Sequence, residues 1–99
     1  MKFEWDIGKA LSNHKKHGVV FELATTVFDD PFALRLHDKR HSNAKEVRFW
    51  QVGASDAGIL VVVFTMRGIG QAKRCRLISA RKANKREKAL YEINKRVPL

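Results

Sequence analysis

The chain has 99 residues, enough for one domain built on one modest core. It carries 20 Lys+Arg against 10 Asp+Glu, a formal net charge of +10, and 44% of its residues are hydrophobic. These values exclude a second domain, a doubly wound dinucleotide-binding sheet of usual size, a disordered chain and a membrane span, the longest apolar run being only Ile59 to Phe64.

Phe3-Glu4-Trp5 alternates and predicts a short strand. Asp6 is a good N-cap for a helix starting at Ile7. Ile7, Ala10, Leu11 and His14 follow at i, i+3, i+4 and i+7, which predicts one buried face with His14 packed in it. Lys15, Lys16 and His17 fill the last turn, and Gly18 stops the helix. A second, well-buried helix is expected from about Phe21 to Phe28, ended by Asp29-Asp30-Pro31.

From Phe32 the period changes to two. Ala33 to His37 reads as an edge strand, and Asp38 to Lys45 as a polar loop. Val47 to Val52 reads as a second strand, bounded by Gly53. Ser55-Asp56-Ala57-Gly58 is a turn. Ile59 to Phe64 is apolar on both faces, as a covered central strand should be. Arg67-Gly68-Ile69-Gly70 is another turn. Arg74 to Ala80 reads as a fourth strand, with Leu77, Ser79 and Arg81 on one face and Arg76, Ile78 and Ala80 on the other. Asn84 and Glu87 have capping-box spacing and open a last helix to about Lys95. Ala89, Leu90, Ile93 and Val97 are its apolar stripe, and Pro98 ends it. The pattern is α+β: a short N-terminal strand, two helices, an antiparallel sheet of three to four strands and a C-terminal helix, as one domain over residues 1–99.

The charge is uneven. Residues 1–66 hold nine Lys/Arg and eight Asp/Glu, whereas residues 67–99 hold eleven and two. So one-sided a block on a small domain points to a polyanionic partner. The single cysteine, Cys75, cannot form an intrachain disulfide, and MKFEWD lacks the apolar core of a secretory signal. A reducing, cytoplasmic setting and no membrane partner are expected.

No phosphate loop, serine-hydrolase elbow or zinc-type Cys/His set is present. His37-Asp38 with His41 could chelate a metal through N and O ligands, but a polar loop collects such residues by chance, and neither a metal nor a cofactor is expected. A basic protein can still cleave RNA, because the 2′-hydroxyl is a built-in nucleophile. The protein must align it, stabilise charge on phosphorus and move protons. Arginines supply the charge in fork geometry. Arg48, Arg67, Arg76 and Arg81 are the candidates, converging on one sheet edge. Trp50 and Tyr91 could stack on bases.

These residues resemble one family, the BrnT toxins of type II toxin–antitoxin systems, within the RelE/ParE superfamily. The likeness runs from about Phe3 to Tyr91. It rests on Phe3-Glu4-Trp5-Asp6, Lys9, Asn13, Lys16-His17-Gly18-Val19 with Phe21, and Phe28-Asp29-Asp30-Pro31. It continues through Arg48-Phe49, Gly53, Leu60 to Thr65, Arg67, Arg76 to Ala83, Glu87 and Tyr91. Two departures stand out. Val20 and Leu23 lie where members often have Ser and Glu, and Val47 lies where members often have Glu, with Glu46 one residue earlier.

The resemblance implies a RelE-like fold and a ribonuclease that arrests translation. It also implies an antitoxin of BrnA type, whose ribbon-helix-helix part binds operator DNA. On this reading Arg48, Arg67 and Arg81 hold the scissile phosphate, and His17 or Glu87 moves protons. Lys16, Arg76, Lys82, Lys85, Arg86 and Tyr91 extend the RNA contact. The alternative is a non-catalytic toxin-like module that binds an acidic partner or nucleic acid, as a gyrase poison does.

Overall fold

The longest apolar run becomes the middle strand. In the computed structural model, which describes residues 1–97, Ile59 to Phe64 lies within β4 (Gly58–Arg67). β4 pairs antiparallel with β3 (Arg48–Ser55) on one side and with β5 (Arg74–Lys82) on the other. β2 (Leu34–His37) extends β3, again antiparallel. β1 (Phe3–Glu4) adds to β5 in parallel. The sheet therefore has five strands in the order β1-β5-β4-β3-β2. The α+β expectation holds, but the sheet is wider than expected and has one parallel pair, because the N-terminal strand joins it.

The sheet is apolar on both faces. On the first face Leu60, Val62, Phe64, Leu77 and Ala80 pack against Val19, Phe21, Ala24 and Val27. Phe28 packs edge-on to Phe64, with ring centroids 5.0 Å apart. On the second face a smaller cluster joins Val52 and Val61 to Ala83 and Tyr91. The C-terminal helix covers this face around that cluster, and the rest of the face carries the arginines described below.

α1 (Ile7–His17) is capped as expected. Asp6 accepts from the Lys9 amide at 3.2 Å, and Gly18 closes the helix with φ 71°. Its orientation differs from the periodic reading. Ile7, Leu11 and His14 are exposed, and the residue buried against the sheet is Asn13. The reason is the edge of β5 beyond the short β1. Asn13 Nδ2 donates to the Ala80 carbonyl at 2.8 Å, and Asn13 Oδ1 accepts from the Ala80 amide at 3.0 Å. Satisfying an unpaired strand edge decides which side of the helix faces inward.

The second helix is shorter than expected. α2 (Phe21–Ala24) passes into a 3₁₀ turn over Thr25–Asp29. Val20 offers no side-chain cap, and the Thr25 and Thr26 hydroxyls donate to the Glu22 and Leu23 carbonyls. Such back-bonding competes with regular helix. β3 runs through Gly53 rather than stopping there. A Cβ at this position would press on Val27 and Ala33, so glycine permits the close approach of the 3₁₀ turn.

β5 contains a register shift. Val63 pairs with Ser79 but Phe64 pairs with Leu77, which leaves Ile78 without a partner. The bulge corrects the expected alternation. Arg76, Ser79 and Arg81 share the second face, and Leu77 and Ala80 share the first.

α3 (Lys85–Arg96) opens on a complete capping box between Asn84 and Glu87. Its expected stripe lies outward, with Ala89, Leu90, Ile93 and Val97 exposed. The helix packs through Tyr91, whose hydroxyl donates to Asp30 Oδ2 at 2.6 Å, and through Asn94, which donates to the Phe32 carbonyl. Pro98, expected to end the helix, lies outside the described residues. No helix among the described residues is long and apolar enough to cross a membrane.

Candidate nucleic-acid interface

Residues paired across a sheet project to the same face. Glu4, Arg76, Thr65 and Arg48 form one continuous row from β1 to β3. Arg67 and Arg74 form the next row toward the β4–β5 turn. In the other direction Ser79, Val63 and Trp50 form a row, followed by Arg81, Val61 and Val52. Five arginines therefore occupy one face, not one edge as expected. The bulge at Ile78 makes this possible. Arg76 and Arg81 are five residues apart, so in an unbroken strand they would point to opposite faces.

Each of these arginines is held by a carboxylate. Arg48 Nε donates to Glu46 Oε1 at 2.8 Å, and Arg67 Nη2 to Glu46 Oε2 at 3.3 Å. Arg76 Nη1 donates to Glu4 Oε2 at 2.6 Å, and Arg74 Nε to Glu4 Oε1. Arg81 binds Glu87 through two hydrogen bonds, at 2.7 and 2.8 Å. Five guanidinium groups thus share three carboxylates, and the face stays cationic. Lys85 and Arg86 add exposed charge where β5 meets α3, whereas Lys82, expected among the RNA contacts, pairs with Leu60 and so projects to the first face.

The ion pairs leave their mark on titration. The Arg76 hydrogen bond leads in holding Glu4 below the usual carboxylate range. Arg48 does the same for Glu46, and Arg81 for Glu87, where burial opposes the shift but does not cancel it. Glu87 in return raises the Arg81 guanidinium. All three carboxylates are therefore ionised at neutral pH and act as fixed anchors for the cations beside them.

The other expected site residues divide into three groups. Arg48, Arg67, Arg76, Arg81 and Glu87 come together on the second face. Lys16 and His17 lie on α1, where they line an open cleft with Asn13, Ile78 and Ser79. Ser79 belongs to both surfaces, so the cleft meets the arginine face at β5. Tyr91 corrects an expectation. It is 2% exposed, and its hydroxyl is pushed up to about 12 by burial and by its bond to Asp30, so it has no ring face to offer a base.

Glu4, Glu46 and Arg74 were not among the expected residues. For Glu46 the sequence carried a usable signal, a carboxylate two residues before Arg48. For Glu4 no local signal exists, since its partners lie some 70 positions along the chain. Trp50 lies on the arginine face, with the Arg81 guanidinium 5.6 Å from its ring centroid. Its Nε1 donates to Asp38 Oδ2 at 3.1 Å, which fixes the indole. Cys75 is fully buried, and desolvation pushes its thiol up to about 12, so it is inert as a nucleophile.

What the face can do chemically follows from these contacts. It presents guanidinium forks in positions set before any ligand arrives, as recognition of phosphate oxygens requires. No curated protein matches the chain. A protein-family model does match, over residues 5–87, and it is the model of the ribonuclease toxin BrnT of type II toxin–antitoxin systems. The match takes in all five arginines together with Glu46 and Glu87. The chain belongs to the BrnT family of ribonuclease toxins.

Proposed function

We propose that the whole chain, residues 1–99, is one RelE-like toxin domain that cuts RNA on the arginine face without a metal ion. The single observation that carries this reading is the convergence of Arg48, Arg67, Arg74, Arg76 and Arg81 on one face of the sheet. Arg48 and Arg67 share one carboxylate, Glu46, and so form a site for one anion. The scissile phosphate takes this site, with Arg81 as the third cation. Arg76, Lys85 and Arg86 follow the backbone on either side.

The reaction is attack of the 2′-hydroxyl oxygen on phosphorus. The P–O5′ bond breaks, which leaves a 2′,3′-cyclic phosphate and a 5′-hydroxyl. One proton leaves the 2′-oxygen and one reaches the 5′-oxygen. Glu46, ionised beside Arg48 and Arg67, accepts the first. His17, in the cleft that meets the face at Ser79, supplies the second, with Lys16 beside it. Glu46 bonds the two arginines that hold the scissile phosphate, whereas Glu87 bonds Arg81 and the Asn84 amide and is assigned the positioning of Arg81.

Cleavage of this kind in the cytoplasm inhibits translation. A cognate antitoxin of BrnA type neutralises the toxin by laying acidic residues over the cationic face. Its ribbon-helix-helix part carries the complex to operator DNA.

The test is labelled RNA incubated with purified protein and EDTA. The expected products end in 2′,3′-cyclic phosphate. Arg67→Ala and Arg81→Ala should lose both cleavage and growth arrest while keeping the far-UV circular dichroism of the wild type. Intact RNA together with arrested DNA replication would contradict the reading and favour a gyrase-type poison.

A further inference from the structure

Beside the arginine face lies a cavity of about 300 Å³ between the sheet and the start of α3. Its walls are Leu34, Leu36, Trp50, Val52 and Leu90, and Arg86 stands among its lining residues. Leu36 is 42% exposed and Leu90 46%, so the chain leaves its own apolar wall uncovered. An apolar hollow with a polar rim marks a binding site more often than a packing fault.

Two contacts tie this hollow to the cations. Arg81 sits over the Trp50 ring, and its partner Glu87 lines the cavity. Trp50 is pinned by Asp38, which also accepts from the His41 amide. An apolar hollow beside guanidinium groups matches the make-up of a nucleotide, an apolar-faced base joined through a sugar to a phosphate. A backbone-only contact would need no such hollow.

We propose that this cavity holds one unstacked nucleobase of the bound RNA, next to the phosphate held by Arg81. The inference rests on the reading of the arginine face as an RNA surface. The base packs against Trp50, Leu36 and Leu90, and the guanidinium of Arg86, which has no ion pair among the described residues, reaches its edge. Base preference then comes from the cavity, and affinity for the backbone comes from the arginines.

The experiment compares a short 2′-O-methyl oligoribonucleotide, which the protein cannot cleave, with its abasic counterpart. The wild type should bind the base-bearing strand about tenfold more tightly, as expected for one stacked base. Leu36→Gln with Leu90→Gln should reduce that ratio to near one and leave affinity for the abasic strand unchanged. Both positions are nearly half exposed, so the fold should survive, which circular dichroism checks. Equal binding of the two strands by the wild type would overturn the inference and leave the arginine reading standing. So would a tenfold preference that survives in the double variant, and if that variant instead lost affinity for the antitoxin, the hollow would belong to the antitoxin. Absence of salt-sensitive binding to either strand would overturn both.

Discussion

Arg81 and Glu87 face each other across the junction of β5 and α3, joined by two hydrogen bonds of 2.7 and 2.8 Å. The same carboxylate accepts from the Asn84 amide at 2.9 Å and so closes the capping box of α3. One side chain therefore fixes a helix start and aims a guanidinium at the same time. Arg81 and the exposed cations of the first turn of α3 are positioned together.

Glu87→Gln tests this double role. Loss of the charged partner and weakening of the box should cost about 1–2 kcal/mol, read as a lower urea midpoint, since solvent partly screens Arg81. RNA cleavage should fall while its pH profile keeps its shape. Loss of one limb of that profile would show instead that Glu87 transfers a proton.

Asn13 is the second lever. Its side chain makes two hydrogen bonds to Ala80 and donates a third to the Val19 carbonyl at 3.0 Å. Asn13→Ala leaves an edge amide and two carbonyls buried and unpaired, and should cost about 2–4 kcal/mol in urea unfolding. His14→Ala, on the exposed side of the same helix, should change stability by no more than about 0.5 kcal/mol.

Acid should destabilise the fold. Glu4, Glu46 and Glu87 are held down by arginines, and Asp30 and Asp38 by hydrogen bonds that outweigh their burial. A carboxylate with a lower pKa in the folded than in the unfolded chain stabilises the fold fully above its unfolded value, and that contribution is lost as pH falls through the folded one. The urea midpoint should therefore stay level from pH 7 down to about 5 and fall progressively below about pH 4.5, where unfolded carboxylates begin to bind protons. A midpoint that rose on acidification would contradict the ion-pair network.

Much of this was legible in the residues. The caps at Asp6 and Asn84, the stop at Gly18, the central strand at Ile59 to Phe64 and the turns beside it are local signals, and the structure follows them. What was not legible is which side of each helix faces inward. Periodicity groups Ile7 with Leu11, and Leu90 with Ile93, but it does not say what covers them. In α1 the inward side is chosen by Asn13, a polar residue that hydrophobic patterning discounts, and in α3 by the buried pair of Tyr91 and Asp30. The bulge at Ile78 was equally hidden, because Leu77, Ser79 and Arg81 alternate in sequence as a regular strand would. That one unpaired residue turns scattered arginines into a shared face, and the pairing of Glu4 with Arg74 and Arg76 becomes visible only once β1 lies beside β5.

On the proposed function the arginine face, and not the basic helix α1, grips the RNA backbone. The salt dependence of binding to an uncleavable RNA tests it most directly. If about five phosphates are contacted on a single strand, the log–log slope should be about −3.5, and Arg48→Ala and Arg67→Ala should each flatten it by about 0.7. Lys15→Ala on α1 should leave it unchanged. A slope that responds to Lys15→Ala and ignores both arginine substitutions would place the RNA on α1 instead.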